Sequence, residues 1–403
     1  MKTAIMGYGT IGSGVAEVLE TNKDTIAKTI GEEIELKYVL DLRDFPGSPV
    51  EDKLIHDFSV IESDPEVQIV VEAMGGLNPA YPFVKACLLA GKHVATSNKA
   101  LVAAHGTELL QIARDKQVNF FFEASVGGGI PIIRPLCRCL TGERVEEITG
   151  ILNGTTNFIL TRMDKEGWSF KAALKEAQRL GYAEQNPEAD VEGHDTCRKL
   201  AILTAMATGR EVSYEEIYTE GIADISDTDF AYAAKLGMSI KLVGMSKADA
   251  DGHVSAFVAP LMLDRDHPLS SVNDVVNGIM VKGNMLGVTM YSGSGAGKLP
   301  TASAVVADII DAAKHIHQNV AMGWSAEKQE IAPMEANRFR YFIRVAGAPD
   351  EQLGQLAAFD PQEVAVLEGR DEFAVLSKPM READFRELQS QTEGMLSFIR
   401  AEA

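Results

Sequence analysis

Lys2-Thr3-Ala4-Ile5-Met6-Gly7-Tyr8-Gly9-Thr10-Ile11-Gly12-Ser13-Gly14 runs from an apolar strand pattern into a Gly-x-Gly-x-x-Gly turn, and Val15-Ala16-Glu17-Val18-Leu19 continues it as a helical pattern. Strand, glycine turn and helix in this order suit a dinucleotide pyrophosphate. The glycines let backbone come close, and the amides at a helix N-terminus face the negative charge. Gly7, Tyr8, Gly9, Thr10, Ile11 and Gly12 are therefore candidate cofactor-binding residues.

Working outward, the pattern 34–40 reads as a second strand ending at Asp41-Leu42-Arg43-Asp44, where the adenosine ribose should lie. Asp41 could accept from a ribose hydroxyl and favour NAD, whereas Arg43 could face a 2'-phosphate and favour NADP, and the sequence carries both cues. Asp41 comes later after the glycines than the usual spacing of about 20 residues, which requires an inserted segment around Thr21 to Gly31. A strand at 69–74 ends in Gly75-Gly76, a helix follows at about 79–90, and a strand at 93–96 runs into Ser97-Asn98-Lys99-Ala100-Leu101. Strands alternating with helices imply an α/β architecture with a Rossmann-type parallel sheet, in which ligands bind beyond the strand C-terminal ends. Gly75, Thr96 and Lys99 occupy such ends.

Phe120-Phe121-Phe122-Glu123 then enters the glycine loop Gly127-Gly128-Gly129. One carboxylate with several inward-turned carbonyls would suit a hard cation, and a flexible crossover between domains reads equally well. A strand from Val145 leads through Asn153-Gly154-Thr155-Thr156-Asn157 into a helix, where the threonines and adjoining amides could hold a carboxylate or simply cap the helix. The acidic loop from Tyr182 runs straight into the apolar helical pattern Leu200-Ala201-Ile202-Leu203, gathering Glu184, Asp190 and Asp195 near Lys199. Asp195 and Lys199 are four apart, which on a helix puts them on one face with the acid first, the favourable order for the pair and for the helix dipole. A second glycine loop, Gly293-Ser294-Gly295-Ala296-Gly297, opens a helix at about 302–316 and could close over the nicotinamide side of a cofactor. The polar stretch 318–337 reads as a linker, and 338–403 as a compact α+β module.

A chain of 403 residues exceeds what one hydrophobic core usually holds, so two or three domains are expected. A formal net charge of −20 with no basic cluster argues against a nucleic-acid partner. There is no apolar run near the roughly 20 residues of a membrane span and no signal-peptide pattern, so a cytoplasmic protein is expected, with no membrane partner. Cys87, Cys137, Cys139 and Cys197 lack metal-binding spacing and read as reduced, packed thiols.

Taken together, Ser97-Asn98-Lys99-Ala100-Leu101, Glu123-Ala124-Ser125-Val126-Gly127-Gly128-Gly129-Ile130-Pro131, Asn153-Gly154-Thr155-Thr156-Asn157, the Tyr182–Lys199 stretch and Gly295-Ala296-Gly297 resemble the homoserine dehydrogenase family. The resemblance implies NAD- or NADP-dependent interconversion of L-homoserine and L-aspartate 4-semialdehyde on the route to threonine and methionine. It implies Lys199 as proton donor to the aldehyde oxygen, with Lys99 touching substrate and cofactor. Glu184 and Asp195 would bind the substrate, supported by Asp190 and Tyr182, with Gly154 and Thr155 near its carboxylate. Glu123 with the carbonyls of Val126, Gly128 and Ile130 would form a sodium site. The implied domains are a dinucleotide-binding domain at 1–130, completed by the helix at 300–317, a catalytic and dimerisation domain at 131–300, and an ACT-like regulatory or oligomerisation domain at 338–403. A homodimer or homotetramer is the implied assembly.

Overall fold

A computed structural model describes residues 1–402 and divides the chain into two compact units. The first comprises residues 1–145, 201–214 and 283–329, and the second 146–200, 215–282 and 330–403.

In the first unit six parallel strands lie in the order Leu54–Ile55, Glu35–Leu40, Lys2–Met6, Val67–Glu72, His93–Thr96, Phe120–Phe121. This is the doubly wound order, with the reversal beside the first strand. The central strands are buried on both faces, as their unbroken apolar runs require. Helix Thr10–Thr21 follows the first strand directly, and the delay before Asp41 is a separate helix, Lys23–Ile30, ended by Gly31 in the left-handed region (φ 86°). Helix Lys298–Lys314 supplies Ala302, Val305 and Ile309 to the same core as Ile5, Val15 and Val71. At Gly14 a Cβ would press on Lys298 and Ala302, so the two helices meet at the bare backbone.

The second unit is built on a mixed sheet. Its strands run in the order Val276–Gly283, Val145–Ile151, Met238–Ala248, Val254–Asp264, Met395–Ala401, Arg338–Ala346, Glu372–Ser377, Pro361–Val366. The last four form the βαββαβ arrangement in spatial order 4-1-3-2, with helix Glu382–Gln391 before the final strand. Residues 338–403 do not stand apart from the rest of this unit: Arg400 and Ala401 pair with Leu261 and Met262, and Phe339, Tyr341 and Phe385 share one core with Phe257 and Val243.

Two segments depart further from the sequence reading. The stretch 318–337 is not a solvated linker: Trp324 is buried, its ring NH donates to Thr107, and Ser325–Lys328 pairs with Arg210–Glu211. One aromatic among polar neighbours anchors the segment, and polarity averaged over twenty residues hid it. The strand Met238–Ala248 is buried on both faces although Ser239 and Lys241 alternate with Met238, Ile240 and Leu242, and the sequence reading did not place it.

Candidate active site

The glycine turn is shaped by steric need. Gly7 has φ 95°, and a Cβ there would press on the Ala73 carbonyl group at 2.9 Å. A Cβ on Gly12 would overlap the Gly7 carbonyl oxygen, whereas one on Gly9 would meet nothing within 4 Å. The first and third glycines of the motif thus close the turn, and open space lies at Gly9. Helix Thr10–Thr21 has no acidic residue in its first turn and no side-chain cap, so its leading amides face outward for an anion.

Asp41 is drawn to this turn. Its Oδ2 accepts from the Tyr8 amide at 2.8 Å, and its carboxylate takes both Nε and Nη2 of Arg43 at 3.0 Å. The Arg43 guanidinium, with help from the Tyr8 and Arg43 amides, holds the carboxyl well below its ordinary range despite partial burial. Arg43 also lies over the Phe45 ring at 5.1 Å. A cavity of about 440 Å³ opens here, lined by Gly7, Gly9, Asp41, Arg43, Met74 and Phe83 among others.

At the next strand ends, buried Glu72 accepts from the amides of Met74 (2.8 Å) and Gly75 (3.0 Å) and from the Thr96 hydroxyl (2.5 Å). The Thr96 hydroxyl in turn accepts from the Asn98 amide at 2.9 Å. Asn98 caps the helix Lys99–Asp115 through the Leu101 amide and donates to the Gly76 carbonyl at 2.6 Å. Lys99 is therefore the first residue of a helix whose start is pinned by Glu72 and Asn98, neither of which the sequence reading singled out. Thr96 serves this network through its side chain.

Glu123 stands at the entry to the Gly127–Gly129 loop. Its carboxylate is buried and accepts from the amides of Ile132 (2.6 Å), Ile133 (2.9 Å) and Arg134 (2.8 Å). Three amides take up most of the acceptor capacity of the carboxylate and fix it to the segment beyond the loop. Arg134 pairs with Asp308, and Asp308 accepts from the Glu123 amide at 2.9 Å, so these charges tie the segment to helix Lys298–Lys314. Gly127 and Gly128 both have positive φ (72° and 56°), and a Cβ on Gly128 would press on Gly295 at 2.6 Å. The two glycine loops therefore pack backbone to backbone, Gly129 donating to the Ser294 carbonyl at 3.1 Å, and Gly297 (φ 110°) starts the following helix.

In the second unit, Asp195 and Lys199 are buried in the first turns of helix His194–Thr208 and pair at 2.8 Å. Lys199 also donates to the Leu152 carbonyl at 2.7 Å. Asn153 donates through one amide nitrogen to Asp190 (2.7 Å) and Asp195 (2.9 Å), while its oxygen caps helix Gly154–Glu166 at the Thr156 amide. It is the residue that gathers the two acids. The Thr155 hydroxyl donates to the Tyr182 carbonyl at 2.6 Å, which ties the helix start to the acidic loop and turns the hydroxyl away from a ligand carboxylate. Tyr182 and Glu184 are exposed on that loop, the Tyr182 ring edge-on to Phe158 at 5.1 Å. Gly154 packs bare against the Val275 carbonyl. Behind the helix, buried Lys241 donates to Val272 O (2.7 Å), Asn273 Oδ1 (3.1 Å) and Asn157 Oδ1 (3.3 Å), and burial pulls its ammonium down to about 8. The Cys197 thiol is likewise pushed up by burial, and no part of the arrangement makes it a nucleophile.

The doubly wound sheet and its glycine cradle define a nicotinamide-dinucleotide-dependent oxidoreductase. Comparison with known proteins gives the particular family. The sequence model described as "Homoserine dehydrogenase, NAD binding domain" matches residues 7–123, and that described as "Homoserine dehydrogenase" matches 131–310. The chain is 44% identical over 320 residues to homoserine dehydrogenase of Synechocystis, covering 77% of this chain and 73% of that one. It is 37% identical to the enzyme of Neisseria gonorrhoeae, covering 94% and 89%. The crystal structure of a homoserine dehydrogenase from Thiobacillus denitrificans superposes with a TM-score of 0.90 at 35% identity, covering 100% of this chain and 98% of that one. A hyperthermophilic archaeal homoserine dehydrogenase in complex with NADPH gives 0.65 at 28%, covering 77% and 98%. The chain belongs to the homoserine dehydrogenase family, NAD(P)-dependent oxidoreductases that act on a CH–OH group.

Proposed function

We propose that the turn from Asp190 to Lys199 binds homoserine and moves the proton of the reaction, with Lys199 at the reacting oxygen. The buried Lys199 ammonium carries this reading. Two of its three hydrogens are directed at Leu152 O and Asp195, and a substrate oxygen is the acceptor the third would take. The nicotinamide supplies the hydride when the cofactor is bound. As L-aspartate 4-semialdehyde is reduced, Lys199 stabilises the charge growing on the aldehyde oxygen and delivers a proton to it. In the opposite direction its neutral amine takes the hydroxyl proton of L-homoserine. Asp195 keeps the lysine aimed, and Asp190, bridged to it by Asn153, presents a second carboxylate to the substrate ammonium. Glu184 joins from the exposed loop, and Lys99 meets the cofactor from a strand end. The test is homoserine-dependent reduction of NAD and NADP by the purified chain; no reduction of either would overturn the assignment.

Gly7, Gly9, Gly12 and the leading amides of helix Thr10–Thr21 fit the pyrophosphate, and Asp41 with Arg43 fits the adenosine ribose. Both dinucleotides are accepted in this reading: Asp41 meets a free ribose hydroxyl, and Arg43 swings from Asp41 to a 2'-phosphate. The archaeal relative solved with NADPH supports the second arm. Arg43→Ala should raise KM for NADP about tenfold, the weight of one charge-assisted contact, and leave KM for NAD near its starting value. Equal changes for both would overturn the assignment.

A sodium ion in the 126–130 turn would be held by the carbonyls of Val126, Gly128 and Ile130 rather than by the Glu123 carboxylate. Sodium titration in a tetramethylammonium background should raise Tm if that site exists. The βαββαβ arrangement of 338–403 supports an ACT-like role in effector binding or dimerisation, with threonine as the effector to titrate and light scattering as the assembly readout. Threonine and methionine biosynthesis in the cytoplasm is the setting this reading implies.

A further inference from the structure

One edge of the strand Val254–Asp264 is fully paired with Met238–Ala248. The opposite edge is tiled by three short parallel pieces of distant chain: Ile331–Ala332 at Val254–Ser255, Tyr218–Thr219 at Phe257–Val258, and Arg400–Ala401 at Leu261–Met262. The tiling sets Arg400, close to the end of the C-terminal strand, next to the segment that follows Thr219. Arg400 is completely buried and grips Glu382 with Nε (2.9 Å) and Nη2 (2.7 Å) and Glu220 with Nη1 (2.8 Å). Tyr218 donates its hydroxyl to the same Glu220 oxygen at 2.7 Å.

The residues just after Glu220 pack against the acidic loop. Its amide bonds Val258 O at 2.8 Å, and the Ile222 amide bonds Val191 O at 2.9 Å. Between them Gly221 lies against the loop so closely that a Cβ would overlap the Val191 carbonyl oxygen and approach Glu192 Cα to 2.7 Å. Gly221 does not have positive φ, so its lack of a side chain answers to this contact and not to backbone conformation. Gly193, two residues before Asp195 and itself in the left-handed region (φ 82°), also packs on Thr219, with a Cβ falling 3.1 Å from its methyl group.

We propose that Gly221 and the Arg400–Glu220 pair are positioning residues for the substrate loop, so that the C-terminal strand sets the place of Asp190 and Asp195. The inference rests on reading the Asp190–Lys199 turn as the substrate site. Arg400 fixes Glu220, Glu220 fixes Gly221, and Gly221 sets how far the Val191–Glu192 peptide can approach. A methyl group added at Gly221 displaces that peptide by part of an ångström, and displacements of this size beside reacting groups cost up to about 100-fold in rate.

The test compares Gly221→Ala, Arg400→Lys and Glu220→Gln in the full chain by steady-state kinetics and thermal melting, with Asp195→Asn and Lys199→Ala run alongside. Gly221→Ala should raise KM for homoserine about tenfold with KM for the dinucleotide unchanged and Tm held within a few degrees. Arg400→Lys and Glu220→Gln should raise the same KM several-fold, and this pair carries the test if Gly221→Ala does not fold. Unchanged KM for homoserine in the folded variants, with or without a fall in Tm, overturns the positioning role. If Asp195→Asn and Lys199→Ala leave turnover intact, it is the site reading that fails.

Discussion

Two turns of this molecule open a helix with groups suited to a ligand, and they are made differently. The turn from Gly7 to Gly12 is made of backbone: a Cβ on Gly12 would strike the carbonyl five residues earlier, one on Gly7 would press on Ala73, and the helix amides are left uncovered. The turn from Asp190 to Lys199 is long-range. Asn153 gathers its two acids from 37 and 42 residues away, Leu152 takes a lysine proton across 47 residues, and the segment 218–222 supports it from behind. A cradle for an anion needs only backbone, which a local motif can build. A buried ammonium between carboxylates needs compensating partners on every side, and these come from wherever the fold brings them.

This contrast can be broken experimentally, most forcefully at the lysine. Lys199→Ala should lower turnover by about 10²–10⁴, the usual worth of a positioned acid, while dinucleotide affinity measured by fluorescence titration stays near its original value. Turnover that survives would remove Lys199 from the proton-transfer role and the contrast with it. At the other turn, Gly12→Ala should act in the opposite sense. Overlap with the Gly7 carbonyl oxygen should weaken dinucleotide binding by about 10–100-fold, corresponding to about 1–3 kcal/mol of overpacking, visible as a higher Kd and a lower Tm. A dinucleotide Kd unaffected by the methyl group would show that the turn is not set sterically.

Asn153→Ala sharpens the comparison at a smaller scale. Removing the donor shared by half-buried Asp190 and buried Asp195 leaves both carboxylates short of a partner, at about 1–3 kcal/mol, so kcat/KM for homoserine should fall by about tenfold or more while dinucleotide KM holds. The smallest effect concerns Lys241. Its folded pKa, about 8, lies below the ordinary 10.5, so between these values the unfolded chain binds more protons and stability should rise with pH. Urea denaturation across that window should show stability rising with pH, and Lys241→Met should abolish the rise. A flat profile in the parent protein would mean that the three oxygen acceptors offset burial.

How far the sequence carried the reading can be judged at particular residues. The pair Asp195 and Lys199 was legible because a helix places i and i+4 on one face, and Asp41 because a strand end after a glycine turn has a known neighbour. Asn153 was passed over because an asparagine before Gly-Thr-Thr looks like a helix cap, which it is; its second task is visible only once Asp190 and Asp195 come alongside. Glu72 was read as the end of an apolar strand, yet it organises the backbone around Gly75 and Asn98. Glu123 is noticed for its charge, but nothing local says that its carboxylate will meet three amides nine to eleven residues further on.

By itself the sequence determined the parallel sheet of the first unit, the glycine turn and the lysine–carboxylate pair, because each is dictated by periodicity or by contacts within a few residues. The tertiary structure alone decided that residues 338–402 complete the second unit's sheet, that Glu123 is an amide acceptor, and that Arg400 reaches the strand beside the acidic loop. Those outcomes depend on which buried charges and edge strands find partners across the fold, and burial leaves such groups no water to fall back on.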